Sequence, residues 1–320
     1  MKFKTTAIAM AVAGVVAAPM AVQAGADEIY ASARVGAQYL DNGGTADTDI
    51  KSMASRFGAR GETDLGNGLI GFGRYEWGVD FNGGGDLSSR HRYVGLKGDW
   101  GSVKLGRTYQ TFYSFVVGPG DNPWWNSGVA QVAYVGRTDK AITYSGSSDS
   151  FAFGATAYMS RDTEEDAIDV WEAGASYTFG NDMTLAFAAQ GTAADEDDGT
   201  GTLIGNGMDE TIGAVMLSGV MLGDVSMAFG AQSQDDDSSF LADIGYNGFY
   251  LHIEAMTIDK DSPASSTGDD QDPVMGVLGY TRSLGRKTTM WFEVATGDAD
   301  TDDSDDDYTQ VIATLKYDII

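Results

Sequence analysis

The chain reads as all-β: a transmembrane antiparallel β-barrel of about 16 strands, with its third long connection folded inward. Three observations predict this class. Apolar and polar residues alternate with period two along most of the sequence. The links between the alternating segments are by turns short and long. An apolar leader precedes a chain that contains no cysteine.

In the leader, Lys2 and Lys4 flank the start of the apolar run "TTAIAMAVAGVVAAPMAVQA", and Val22 and Ala24 are the small residues a signal peptidase reads. Residues 1–24 are expected to be a signal peptide and residues 25–320 the exported barrel domain. Pro19 interrupts a run already too short to remain as a spanning helix. Without cysteine neither a lipid anchor nor a disulfide can form, so rigidity must come from a large core or from a membrane. The formal net charge of −27 argues against a nucleic-acid partner, whose phosphates would be repelled.

No stretch after Ala24 is long and apolar enough for a transmembrane helix, but a barrel strand shows lipid only its alternate residues. In "EIYASARVGAQYL", Ile29, Ala31, Ala33, Val35, Ala37 and Tyr39 alternate with Tyr30, Ser32, Arg34, Gly36 and Gln38. The same texture recurs in "GLIGFGRYEWGVDF", "SFAFGATAYMS", "MTLAFAAQ", "DVSMAFGAQ" and "TTMWFEVATG". In "DVWEAGASYTFG" one face carries Trp171, Ala173, Ala175, Tyr177 and Phe179. Strand rise and tilt set Trp171 and Phe179 roughly 20 Å apart along the membrane normal, which is an apolar band with an aromatic residue at each interface.

The connections alternate strictly. Short ones fall at 64–68, 98–101, 145–150, 179–182, 222–224, 246–248 and 283–286. Longer ones, several of them acidic, fall at 41–49, 82–88, 194–209, 234–237, 259–272 and 297–307. A meander of hairpins puts all the short turns at one end and all the acid runs at the other, which a soluble sandwich with crossing connections has no reason to do. The last acid run precedes a final strand because that strand must close the barrel against the first, leaving no edge unpaired in lipid. Asp298, Asp300 and Asp302 begin like a calcium loop, but Asp303 stands where such a loop needs glycine and Thr309 where it needs glutamate. No metal site is expected, and the acid runs read as solvated surface.

The third long connection, 111–136, is different: aromatic-rich, with Asp121 its one acid. A loop this long is usually functional, and an apolar one is badly placed in outer water, so it is expected to fold against the inner wall. Tyr113, Asp121, Trp124 and Trp125 are its candidate constriction residues.

At this point "SRFGARGETDLGNGLIGFGRYEW" (55–77), "RHRYVGLKGDWGSVKLGRTYQ" (90–110) and "RTDKAITYSG" (137–146) resemble the general diffusion porins of Gram-negative outer membranes. The likeness extends more loosely, in strand count and loop rhythm, over the whole mature chain. It implies an outer-membrane, multi-pass barrel, usually a homotrimer, set among lipid and lipopolysaccharide. It further implies a water-filled channel for passive diffusion of small hydrophilic solutes and ions, with no cofactor and no enzymatic activity. The resemblance also implies a basic ladder facing acids on the inward loop, carried here by Arg56, Arg60, Arg90 and Arg137. Period two places Arg56, Arg60 and Glu62 on one face opposite Met53, Phe57 and Ala59, and Arg74 and Glu76 on one face opposite Tyr75 and Trp77. Arg74, and Arg92 following Arg90, therefore join the candidate ladder.

Three features depart from the family pattern. Asp121 stands alone where relatives commonly have several loop acids; the chain ends "LKYDII" where most members end in phenylalanine; and the loop at 82–88, with Asp86 its one acid, is short for a trimer latch. Small outer faces at Ala31, Ala33, Ala37, Gly71 and Gly73 offer places for subunits to pack. Acidic mouths enrich cations at low salt while the ladder opposes them, and the balance predicts a mild cation preference. Two rival functions are a barrel hydrolase using His252 with Glu254, and an acidic surface adhesin without a pore. The hydrolase lacks a "G-x-S-x-G" nucleophile motif.

Overall fold

Alternation along the chain becomes one antiparallel sheet that closes on itself. The structure, a computed structural model, describes residues 23–24, 27–80, 87–123, 136–137, 139–159, 168–192, 211–262, 268–298, 300 and 307–320. In chain order the strands are β1 (Glu28–Asp41), β2 in two segments (Ala46–Ser52 and Ser55–Gly66), β3 (Leu69–Val79) and β4 (Leu87–Gly98). Next come β5 (Gly101–Arg107), β6 (Ala141–Ser147), β7 (Phe151–Met159), β8 (Ile168–Thr178) and β9 (Thr184–Thr192). They are followed by β10 (Ile212–Leu222), β11 (Val225–Gln234), β12 (Asp237–Tyr246) and β13 (Phe249–Thr257). The last are β14 (Val274–Ser283), β15 (Thr288–Asp298) and β16 (Tyr308–Asp318). Each pairs with the next, and among the described residues the wall is sixteen-stranded. Of the expected leader only Gln23–Ala24 is described, bridging Thr63 and Asp64.

Closure is made by β16, whose register runs from Thr309↔Asp41 to Asp318↔Ser32 along β1. With the two ends joined, the faces of every strand meet different surroundings. On β1, Ser32, Arg34 and Gln38 are buried while Val35 and Tyr39 are exposed; on β8, Glu172 is buried between exposed Trp171 and a strand end marked by Tyr177 and Phe179. The expected short turns form one rim. Asn67–Gly68 and Asn247–Gly248 both have positive φ, as a two-residue turn matched to strand twist requires. Aromatic pairs line this rim on the outside, Tyr177–Phe179 at 5.0 Å and Phe249–Tyr280 at 4.6 Å between ring centres, as an interfacial belt does.

Two of the register slips change which of the expected residues face inward. Between the segments of β2 the register on β1 slips by one, from Val35↔Ser52 to Ser32↔Arg56, with Ala54 at φ 60. Met53, expected on the outer face with Phe57, is instead fully buried inside, against Gly36 and Thr314. The extra residue of a bulge reverses the parity on its far side. A second slip lies in β4, where Glu76 pairs with His91 and Trp77 with Ser89. Arg90 is the surplus residue; both it and His91 turn inward, while Arg92 pairs with Tyr75 on the outer face.

Two loop boundaries differ from expectation. The first long connection is shorter than 41–49, because β2 resumes at Ala46 and Asp41 pairs with it. The acid stretch at 234–237 is a tight turn, with Gln234↔Asp237 paired and Asp235 at φ 48. Asp237 is buried and accepts from the Asp259 N–H (2.9 Å) and the Ser262 hydroxyl (2.5 Å), so it braces a neighbouring loop instead of being solvated.

The third connection leaves the wall after β5, and its described part, as far as Pro123, makes two helical turns at Tyr113–Val117 and Gly118–Gly120 that pack against the inner wall. Phe112, Val116 and Val117 pack on Ala186, Ala188, Ile212, Met216, Ala228 and Leu241 of β9 to β12. The inner face there is apolar because loop covers it.

Another inner-wall device is Tyr250, which crosses β14 to reach Glu293 on β15 (2.5 Å). A Cβ at Gly279 would lie 1.9 Å from the Tyr250 ring, so the crossing needs glycine there. Gly279→Ala is expected to destabilise the folded barrel by about 1–3 kcal/mol through overpacking, read as a lower urea midpoint in detergent. An unchanged midpoint would mean that Tyr250 leaves the wall without cost.

Candidate functional site

The inner faces of β1 to β4 gather arginines around one carboxylate. Glu76 is fully buried. Its Oε2 accepts from Arg74 Nη2 (2.6 Å) and the Tyr30 hydroxyl (2.9 Å), and its Oε1 from Arg90 Nε (2.8 Å). Arg56 Nη1 and His91 Nε2 each lie 3.9 Å from Oε1. Arg74 Nε also donates to Tyr30 Oη at 2.8 Å, so the phenol relays between two charged groups. Charge-assisted bonds of this kind are the strong ones, and both Glu76 oxygens are occupied. The sequence supplies this arrangement by parity, helped by the Arg90 bulge that adds a guanidinium where regular pairing would have pointed it outward.

The inward loop is fastened by a buried polar row on β6 to β8. Thr143 donates to the Gln110 side-chain oxygen (2.7 Å), Thr111 and Thr156 share a hydroxyl bond (2.9 Å), and Glu172 accepts from the Phe112 N–H (2.8 Å) and Tyr158 (2.9 Å). From this anchor Tyr113 reaches back towards the arginines. Its ring stacks on Tyr109 at 3.9 Å, Arg137 lies over the Tyr109 ring at 4.6 Å, and the Tyr113 hydroxyl donates to Asp121 at 2.9 Å. Two stacked phenols therefore couple the basic wall to the loop acid. Burial, and then the Asp121 charge, push the Tyr113 hydroxyl well above the usual phenol range, so it is a constant donor. Burial and the like charge of Arg90 lower the Arg137 guanidinium, as expected of cations crowded together.

The ladder residues named from the sequence separate into groups. Arg56, Arg74, Arg90 and Arg137 come together around Glu76 and Tyr109. Arg60 lies beyond Tyr30 and donates to Glu28 (2.7 Å), with both side chains about half exposed. Arg92 is apart, on the outer face, bound to Asp139 through both carboxylate oxygens (2.8 and 2.9 Å). Trp124 and Trp125 lie outside the described residues. Tyr30, Arg34, His91 and Tyr109 belong to the site without having been singled out. Tyr30 and Arg34 were legible, since both sit on the alternating polar face of β1; His91 was hidden by the bulge.

The rival histidine site is equally well defined. His252 is fully buried, with Nδ1 2.7 Å from Asp243 and Nε2 2.8 Å from Glu254.

The Gram-negative porin family matches residues 5–319 of this chain. Outer membrane porin C of Rahnella aquatilis is 37% identical over 83 residues, which is 24% of this chain and 24% of that protein. The matched stretch thus spans about a quarter of that relative's length. Among solved structures, the loop L8 deletion mutant of OmpT, an outer membrane protein of Vibrio cholerae, superposes with a TM-score of 0.72 at 18% identity, over 92% of this chain and 100% of that one. The trimer form of the in-vitro folded Vibrio cholerae OmpT superposes at 0.67 and 17%, over 92% and 100%.

Glu76→Gln keeps the shape of the hub and removes its charge. Leaving Arg74 and Arg90 without their anion is expected to cost about 3 kcal/mol, measured as a lowered urea midpoint. A midpoint within error of the parent would mean the guanidinium groups are satisfied by water.

Proposed function

This chain belongs to the Gram-negative porin family, and from that premise we propose that it forms a water-filled channel for passive diffusion of small hydrophilic solutes and ions. The observation that carries the reading is the inward loop. It packs on the β9 to β12 side of a closed wall and leaves the arginine face of β1 to β4 across from it, so solutes pass between a fixed loop and a charged wall. A loop bolted at Glu172 and packed through Val116 and Val117 is a size limit, not a moving gate.

His252 favours a channel over a hydrolase. Both ring nitrogens face carboxylate oxygens, so neither is left to take a proton from a nucleophile. The acidic loops add cations near the mouths, while the arginines favour anions at the narrow point. Screening removes the mouth contribution first, since the Debye length falls to about 10 Å at 0.1 M.

A homotrimer fits the same geometry. β5 and β6 have 7 residues each, which tilted strands convert to roughly 18 Å of wall against the about 25 Å of an apolar band. Above them the Ser89 carbonyl accepts from Arg107 Nε (3.1 Å), and the Arg92–Asp139 pair lies on the outer face. A low wall bearing an ion pair suits a protein neighbour better than lipid.

Purified protein is expected to give stepwise conductance in planar bilayers; its absence at any protein concentration overturns the channel reading. Deleting residues 117–126 is expected to enlarge the steps, and unchanged steps would place the loop outside the conduction path. Reversal potentials in a salt gradient are expected to favour cations at about 0.01–0.1 M and move towards anions near 1 M. A preference independent of salt would contradict opposed mouth and constriction charges.

A further inference from the structure

We propose that His252 is a doubly protonated imidazolium that braces the wall beside the seat of the inward loop, and that conductance through the channel depends on that second proton. The effect on conductance rests on the channel reading; the proton itself is tested separately.

The argument is a count of protons. His252 and Glu254 on β13 are buried, as is Asp243, which pairs with His252 from β12. Nδ1 lies 2.7 Å from Asp243 Oδ1, and Nε2 lies 2.8 Å from Glu254 Oε1. A ring nitrogen and a carboxylate oxygen this close need a proton between them, because otherwise a lone pair faces an anion. Two contacts therefore hold two protons. Imidazole is a stronger base than a carboxylate, so both protons sit on the ring. Asp243 gives a second reason. Its Oδ2 is buried with no hydrogen-bond partner, which leaves His252 to answer its charge, and an ionised carboxylate taken out of water needs an opposite charge beside it.

The neighbours offer no substitute for the ring. On β14 the residues paired with His252 and Glu254 are Val277 and Met275, both buried. Tyr250, two residues earlier on the same face, is engaged with Glu293 of β15, and Tyr308 of β16 lies within electrostatic reach of Glu254. None of these is a cation.

Position supplies the consequence. Leu241, paired directly with Glu254, and Met256, two residues beyond Glu254, belong to the apolar bed under Phe112, Val116 and Val117. The trio thus ties β12 to β13 next to the place where the loop rests. When hydroxide takes the second proton, a bare nitrogen is left against a carboxylate and the two strands are pushed apart at that place. His252 is a positioning residue for the loop and touches no solute. Asp243→Asn removes the requirement: a neutral ring can donate to Glu254 and accept from the new amide.

The chain has two histidines, so NMR of isotopically labelled histidine nitrogens in the detergent-solubilised protein reads each ring directly. At neutral pH one ring is expected to carry protons on both nitrogens. It is assigned to His252 by its loss in His252→Gln or, should that variant not fold, by its survival in His91→Gln. A single N–H on that ring overturns the imidazolium. Single-channel recording then tests its role. Conductance steps are expected to grow and become noisier, reversibly, over the alkaline range in which NMR reports loss of the second proton. Asp243→Asn is expected to show one N–H at neutral pH and to lose this dependence. Steps that keep their size while the proton leaves, or an Asp243→Asn response equal to the parent's, overturn the link to the loop and leave the channel intact. If no steps are seen at any pH, the channel reading fails, and the urea midpoint decides the brace. A midpoint that falls in alkali for the parent and holds steady for Asp243→Asn supports it, and equal responses refute it.

Discussion

Everything in this molecule depends on the pairing of β16 with β1. A bilayer offers no water to an open sheet edge, so the last strand has to find the first, and it does so along the register from Thr309↔Asp41 to Asp318↔Ser32. Once closed, the sheet has an inside. Only then can Glu76 be buried amid arginines while Phe57 and Trp77, on the neighbouring positions of the same strands, stack 5.2 Å apart on the outside.

The enclosed space is used asymmetrically. On one side it is filled: the third connection is nailed down through Glu172 and then buries Phe112, Val116 and Val117 against apolar side chains of β9 to β12. On the other it stays charged, with Glu76 holding Arg74 and Arg90 in fixed directions. The Tyr109–Tyr113 stack spans the two, touching Arg137 at one end and Asp121 at the other. At such a narrow place a few guanidinium groups act at short range, while charges farther than a Debye length from the passage are screened.

Much of this was legible in the sequence. Strand parity gave the barrel, the alternation of short and long links gave its two rims, and the aromatic composition of 111–136 indicated that this loop lies inside. What parity could not reveal are the places where pairing slips. Met53 was expected outside and lies inside, because one surplus residue near Ala54 resets the count. Arg92 was grouped with Arg90, but the bulge turns Arg90 and His91 inward and leaves Arg92 beside Tyr75. Bulges depend on pairing with a distant strand, so no local pattern announces them. Likewise, the apolar inner faces of β9 to β12 alternate weakly with their outer faces, and nothing local says that a loop from far earlier in the chain covers them. Tyr30 and Arg34, by contrast, sit in regular alternation on the polar face of β1, where a local pattern does reveal them.

The central claim is that adjacent residues of one strand meet different solvents, and a chain with no cysteine allows a direct measurement. Single cysteines placed at Arg56 and at Phe57 can be challenged with a membrane-impermeant, charged thiol reagent while current is recorded through the reconstituted protein. The account predicts that Arg56→Cys reacts and its conductance falls in steps, while Phe57→Cys stays unmodified. Modification of Phe57→Cys with Arg56→Cys left inert would contradict it.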